Sequence, residues 1–125
     1  MAAPPAPRRR LPRSQRVQRS AEFAQIRQTG RRMVRGVLIA NWTALPPGSP
    51  SRVGVITSRK IGSAVVRNRA RRLLREAFRL HQHELQQPAT IILVARNSIA
   101  GQGLAGVERD YVAVLRQAGL LPPAL

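Results

Sequence analysis

The stretch "VVRNRARRLLREAFRLH", residues 65–81, combines a row of arginines with a row of apolar residues. At about 100° per residue, the apolar residues fall on one side of a helix and most of the arginines on the other. The apolar arc consists of Val66, Ala70, Leu73, Leu74, Ala77 and Leu80. The basic cluster consists of Arg67, Asn68, Arg71, Arg72, Arg75 and Arg79. This pattern predicts a two-faced helix, with Arg69 outside the cluster and beside the apolar arc.

Segments on both sides of this helix predict a small sheet. Residues 33–42, 52–59 and 89–96 are rich in β-branched residues, which is typical of strands. Prolines, glycine and serines separate the first two segments, so we expect 33–42 and 52–59 to form a hairpin. The segment 89–96 is apolar along its length, which predicts a buried central strand.

Two further helices are predicted, one before the strands and one after them. The first covers 20–30, with Ser20 as N-cap and Gly30 as its end, and the second covers 107–119. The resulting order α-β-β-α-β-α predicts an α+β two-layer sandwich, with helices packed on one small sheet.

The length of 125 residues is typical of one domain. Residues 1–16, rich in proline and arginine, are predicted to be a disordered basic arm, and 120–125 a C-terminal tail. A single domain would then cover 17–119. Cysteine is absent, which excludes disulfides, and no apolar run is long enough to cross a membrane. We expect a cytoplasmic protein.

The strongest signal of function is charge. Lys and Arg number 22 against 5 Asp and Glu, a net charge of +17. Lys60 is the only lysine, and arginine suits phosphate because its guanidinium offers a planar fork of donors. A GC-rich genome would explain the preference for arginine over lysine, but it would not explain the net charge. Self-repulsion of this size favours a polyanionic partner.

The helix at 65–81 is the best candidate for the binding surface. An ordinary solvated helix face mixes charges of both signs, whereas here Glu76 alone opposes the arginines. Duplex DNA is one possible partner, but no helix-turn-helix spacing, zinc site or heptad repeat accompanies the helix. A structured RNA fits a single α+β domain better.

A longer segment, "SRKIGSAVVRNRARRLLREAF" (58–78), resembles the signature of the bacterial ribonuclease P protein subunit, K-x-x-G-x-A-V-x-R-N-R. The resemblance runs from about residue 16 to residue 119. It includes Glu22-Phe23, "RVG" at 52–54 and "IILVAR" at 91–96. The resemblance implies a mixed sheet with a left-handed βαβ crossover, although crossovers are right-handed as a rule.

The resemblance also implies a role. Family members assist a catalytic RNA that removes the 5′ leader from precursor tRNA, and the RNA performs the chemistry with Mg²⁺ that it mainly holds itself. The implied partners are this RNA, in a 1:1 complex with a protein monomer, and precursor tRNA. The implied contacts to the catalytic RNA are Arg67, Asn68, Arg69, Arg71, Arg72 and Arg75. The implied leader cleft contains Phe23, Arg27, Arg59 and Lys60.

Other candidates have plainer explanations. His81 and His83 lack accompanying ligands, so we expect exposed helix-end residues rather than a metal site. Asp110 is expected to stabilise a helix start, and Trp42 to lie in the core. No catalytic residue is predicted, because five carboxylates, two histidines and no cysteine are a poor set for a protein-only nuclease. A ribosomal or other structural RNA-binding protein is the alternative function.

Overall fold

Residues 11–123 are described by the structure, a computed structural model. Within them, the helices are α1 (Ser20–Thr29), α2 (Ala64–His81) and α3 (Leu104–Gln117). The strands are β1 (Arg31–Arg35), β2 (Leu38–Ala44), β3 (Arg52–Ile56) and β4 (Ala89–Ala95). None of the helices in this range is long and apolar enough to cross a membrane.

The four strands form one mixed sheet in the order β1-β2-β4-β3. The pairs β1–β2 and β2–β4 are antiparallel, whereas β3 and β4 are parallel. Because α2 connects the two parallel strands, β3, α2 and β4 form a βαβ unit. This arrangement confirms the predicted α+β class with its small mixed sheet.

The predicted hairpin between 33–42 and 52–59 is wrong, because β4 lies between β2 and β3. Six of the seven residues of β4 are buried. A central position, with a neighbouring strand on each side, covers this apolar strand better than an edge position would. The segment 33–42 is itself broken into two strands at Gly36. A φ of +53° at Gly36 allows the tight turn, which explains why the true hairpin is β1–β2.

The main core lies between the sheet and the pair α2 and α3. Strand alternation directs Leu38, Ala40 and Trp42 of β2 into this core, so the predicted core position of Trp42 is confirmed. The opposite sheet face carries α1 and a smaller cluster around Ile26 and Ile92. Helices therefore cover one face fully and the other only in part.

Helix α2 begins at a cap formed by Ser63, whose Oγ accepts a hydrogen bond from Val66 N at 3.4 Å. Its fully buried residues include Leu74, Ala77 and also Phe78, which lies outside the predicted apolar arc. The packed face of α2 is therefore rotated about the helix axis toward Phe78, and this rotation alters the exposure of two arginines. Arg69 is exposed, while Arg67 is half-buried at the flank of the packed face.

The described ends of the chain pack against the domain. Leu11 is buried in the main core, and Arg16 forms a parallel bridge with Val53 of β3. The expected disordered arm is therefore wrong for 11–16, because an apolar residue in this segment finds a place in the core. Residues 1–10 lie outside the described residues. At the other end, Leu120 and Leu121 of the predicted tail are buried.

Three local predictions need correction. Ser20 is the first residue of α1 rather than its cap, because Arg19 occupies the cap position without a side-chain bond. Helix α3 begins at Leu104 instead of 107, so Asp110 lies in its interior. There Asp110 Oδ2 accepts a hydrogen bond from Val37 N at 3.0 Å, and so fixes the β1–β2 turn rather than a helix start.

Candidate nucleic-acid interface

The exposed side of α2 carries an array of side chains that we term the arginine face. It consists of Arg67, Asn68, Arg69, Arg71, Arg72 and Arg75. Within residues 11–123, none of its five arginines forms a salt bridge. The five carboxylates of the chain are engaged at other positions: Glu22 with Arg52, Glu76 with Arg79, Glu84 and Glu108 with His81, and Asp110 with Val37 N.

Neutral groups orient two of these arginines. Arg69 Nη1 donates to the carbonyl oxygen of Gln102 at 2.8 Å, which ties α2 to the segment before α3. Arg71 Nη1 donates to Asn68 Oδ1 at 2.6 Å. A carbonyl or amide oxygen carries no charge, so both guanidiniums keep their full attraction for an anion. Arg69 is exposed and pairs with no carboxylate of residues 11–123, so it belongs to the basic surface although the helix periodicity places it beside the apolar arc.

A groove of about 680 Å³ separates the N-terminal segment from α2. Arg16 lies on one side of it and Arg72, Arg75 and Arg79 on the other, while Leu11 lines the apolar part. Partial burial, with the nearby positive charges of Arg16 and Arg71, lowers the pKa of the Arg75 guanidinium. Arg16 Nε is buried without a hydrogen-bond partner among residues 11–123. Glu76 also lines the groove, where it pairs with Arg79. The crowding of Arg16, Arg71 and Arg75 and the unused donor of Arg16 favour an anion on the Arg16–Arg75 side.

Of the predicted leader residues, Phe23 and Arg27 lie on α1, at the other face of the sheet, whereas Arg59 and Lys60 lie in a short turn after β3. Phe23 on α1 is half-buried and packs over β3 at Gly54. A Cβ at Gly54 would lie 2.6 Å from Phe23 Cε1 and 2.8 Å from Ile92 Cδ1, so glycine is required for this close approach. The aromatic ring is thus partly structural, with the rest of its surface open to a ligand.

Beside Phe23 the sheet face is incompletely covered. Strand register aligns Ile39, Val94 and Ile56 across β2, β4 and β3, and all three are half-buried. Arg27 on α1 is exposed, as are Arg59 and Lys60 in a short 3₁₀ turn after β3. Within residues 11–123, no side-chain hydrogen bond or ion pair involves these three cations. The three cations lie on two separate elements, α1 and the turn after β3.

The histidines differ from each other in environment. His83 is exposed as predicted, whereas His81 lies between Glu84 and Glu108, with Nε2 at 3.0 Å from Glu108 Oε1. His81 therefore links the end of α2 to α3 rather than facing solvent. Among residues 11–123, no group of three or more histidine and carboxylate side chains could hold a metal ion.

Three contributors to these surfaces are not among the predicted site residues. Arg16 falls in a segment whose composition predicts disorder, and only its place beside α2 shows that it faces Arg75. The strip of Ile39, Val94 and Ile56 follows from strand alternation, but finding it requires the true strand order. Val65 is an exposed apolar residue on α2 that lies outside the apolar arc. Its position among basic residues in the helix pattern could have identified it as part of the surface.

Comparisons with known proteins agree with this architecture. The family model of Ribonuclease P matches residues 11–119. A ribonuclease P protein component from Desulfovibrio desulfuricans is 41% identical over 110 residues, covering 86% of this chain and 85% of the relative. One from Syntrophomonas wolfei is 36% identical over 110 residues, covering 88% and 92%.

Solved structures match the fold. The RNase P protein from Staphylococcus aureus superimposes with a TM-score of 0.77 at 24% identity, covering 86% of this chain and 97% of that one. The protein from Thermotoga maritima gives 0.71 at 21% identity, covering 82% and 96%.

The fold and the arginine face define a small, strongly basic α+β protein with a mixed four-stranded sheet. The chain belongs to the ribonuclease P protein family. Membership makes it a protein subunit of a ribonucleoprotein, so an RNA is among its partners.

Proposed function

We propose that this subunit binds the catalytic RNA through the arginine face and the 5′ leader of precursor tRNA through the partly covered sheet face. The arginine face carries the first half of the proposal, because its five arginines have no carboxylate partner within residues 11–123 and therefore favour an external source of negative charge. By neutralising phosphates, the bound subunit reduces the repulsion between catalytic RNA and precursor tRNA.

The sheet face suits a single strand without strict sequence preference. The exposed part of Phe23 and the apolar strip can receive unpaired bases, while Arg27, Arg59 and Lys60 follow the phosphates. An enzyme that acts on many precursor tRNAs needs this tolerance, since leaders differ in sequence. Arg27 would add a second stacking surface by laying its guanidinium on a base.

In this proposal the chemistry belongs to the RNA. Mg²⁺ held by the RNA supplies activation and orientation of the attacking water. The donor set of the protein supports this division, because its carboxylates are already engaged by arginines, a histidine and a backbone N–H. The role of the chain is then to bind and position RNA, as one monomer per catalytic RNA in the cytoplasm.

Reconstitution with the cognate catalytic RNA tests the proposal. Adding the protein should raise the cleavage rate at limiting Mg²⁺, and should raise affinity for precursor tRNA but not for leaderless mature tRNA. A protein that cleaves without RNA would contradict the division of roles. Recovery of ribosomal RNA as the main bound RNA would instead support a structural RNA-binding protein.

The leader surface has its own test. Replacing Arg59 and Lys60 together by Gln should lower the affinity of the reconstituted enzyme for precursor tRNA by about tenfold at low salt, since two phosphates are then no longer neutralised. Affinity for mature tRNA and for the catalytic RNA should not change. The matched control replaces Arg109 and Arg116 of α3 by Gln. If the control lowers leader-dependent affinity equally, the assignment of this surface is wrong.

A further inference from the structure

Val65 is an apolar side chain surrounded by the arginine face, and it has no packing role. Its surface is 76% exposed, far more than that of Val34, the other exposed large apolar residue between 11 and 123. Valine is also a poorer helix former than alanine. Neither core packing nor helix propensity therefore explains a valine in the first turn of α2.

Helix geometry places Val65 where the basic residues converge. Asn68, Arg69 and Arg72 follow it at i+3, i+4 and i+7, so the four side chains share one ridge. A shallow depression of about 670 Å³ lies along this ridge and is lined by Val65, Asn68, Arg71, Arg72 and Arg75. Its lining therefore combines one apolar surface with three guanidiniums.

Asn68 adds an oriented hydrogen-bond donor. Its Oδ1 accepts from Arg71 Nη1 at 2.6 Å, which sets the direction of the side-chain amide. The amide NH₂ makes no hydrogen bond to any residue in the described range. Two N–H donors on an exposed side chain therefore remain available beside Val65.

We propose that Val65 and Asn68 form a subsite for one unpaired nucleotide of the RNA partner. The face of the base packs on Val65, an acceptor on its edge takes an N–H of Asn68, and the flanking phosphates bind Arg71 and Arg72. Phosphate, flat apolar surface and edge acceptors occur together in a single unpaired nucleotide. This inference rests on the proposed function and adds a base contact to a surface otherwise defined by charge.

Substitutions at Val65 separate a base contact from charge and from folding. Val65→Ala should weaken binding of the catalytic RNA about fivefold, because it removes two methyl groups from the contact. Val65→Ile keeps the apolar surface, so it should not show the loss caused by Val65→Ala. The matched control is Val34→Ala, an exposed valine on β1, which should bind the catalytic RNA unchanged. Thermal unfolding of Val65→Ala should show no loss of stability, since alanine favours the helix.

Salt dependence supplies a readout that a purely electrostatic surface would not give. An apolar contact releases no counterions, so the loss of affinity caused by Val65→Ala should be the same at low and high salt. Arg72→Gln, by contrast, should lower the slope of log affinity against log salt. A fully paired RNA duplex offers no unstacked base, so Val65→Ala and wild type should bind it equally.

The outcomes keep this inference apart from the proposed function. Equal binding of catalytic RNA by wild type and Val65→Ala, with Arg72→Gln weakened, would overturn the nucleotide subsite and leave the function intact. An equal effect of Val65→Ala on duplex RNA would also overturn it. If wild-type protein does not prefer the catalytic RNA to ribosomal RNA, the proposed function itself fails.

Discussion

At the scale of single residues, close packing decides which positions tolerate change. Gly54 lies under the ring of Phe23, and its substitution by Ala would bring Cβ to 2.6 Å from that ring. The ring and Ile92 must then move, so Gly54→Ala should lower the free energy of unfolding by about 1–3 kcal/mol in urea titrations.

The matched control for Gly54 is Gly106→Ala within α3. Its new Cβ would meet only the flexible end of the Gln102 side chain, at 2.6 Å from Oε1. Alanine favours a helix over glycine, so this variant should gain about 0.5–1 kcal/mol. A loss of stability in both variants would mean that the effect at Gly54 is a general cost of removing glycine.

Asp110 provides a second residue-level prediction. Its Oδ2 is the acceptor for Val37 N, which is buried at the β1–β2 turn. Asp110→Ala leaves this N–H without a partner, so unfolding should become easier by about 1–3 kcal/mol. Arg109 Nε lies 3.8 Å from Asp110 Oδ1, but its side chain is 76% exposed, so Arg109→Ala removes only a solvent-screened ion pair and should stay within about 0.5 kcal/mol. Equal destabilisation of the two variants in urea titrations would argue against the turn contact.

Tyr111, the single tyrosine, is fully buried, and its hydroxyl has no hydrogen-bond partner in the part of the chain that the structure describes, 11–123. Burial, with the charge of Glu84, raises the pKa of its hydroxyl. Stability is therefore retained below the unfolded-state pKa of about 10 and lost as pH rises above it. Tyr111→Phe should raise the free energy of unfolding at neutral pH by about 1 kcal/mol, because no hydroxyl is then buried without a partner. It should also reduce the loss of stability at alkaline pH. Urea titrations at neutral pH and at a pH above the unfolded-state pKa measure both effects. A steeper alkaline loss in the variant would contradict the assignment.

At the scale of elements, sequence periodicity predicted α2 well because its apolar and basic residues are strongly segregated. It failed at β1–β2 because the signal for a turn was one glycine inside a β-branched run. It failed at strand order because β2, β3 and β4 are all apolar enough to pair with one another. Which strands pair depends on how much apolar surface each strand order buries on the faces and edges of the sheet. This buried surface depends on the packing of the whole chain and cannot be read from one sequence.

The candidate site was predictable in part for the same reason. The arginine face follows from helix periodicity and from the recognised family signature, so its residues could be named in advance. The Arg16–Arg75 groove could not, because it joins segments about sixty residues apart. The proximity of Arg16 to Arg75 depends on the fold of the entire chain, so local sequence patterns do not predict it.

Crowding between the N-terminal segment and α2 leads to a prediction about anions. The positive charges of Arg16 and Arg71 oppose that of Arg75 in the free protein, and partial burial adds to the cost. Inorganic phosphate should therefore raise the melting temperature by binding the folded state. Arg75→Gln should melt higher than wild type without phosphate and gain less from it. Arg109→Gln, on α3, should gain as much from phosphate as wild type does.

At the scale of the whole molecule, a net charge of +17 makes every RNA affinity depend on salt, so total charge must be separated from the arginine face. Replacing Arg71 and Arg72 together by Gln should lower the slope of log affinity for the catalytic RNA against log salt by about 1.4 to 1.8, or about 0.7 to 0.9 for each phosphate that is no longer neutralised. Arg109 and Arg116 replaced together remove the same charge from α3. If charge alone governed binding, both pairs would lower the slope equally, whereas a dedicated arginine face requires that the α3 pair leave it nearly unchanged.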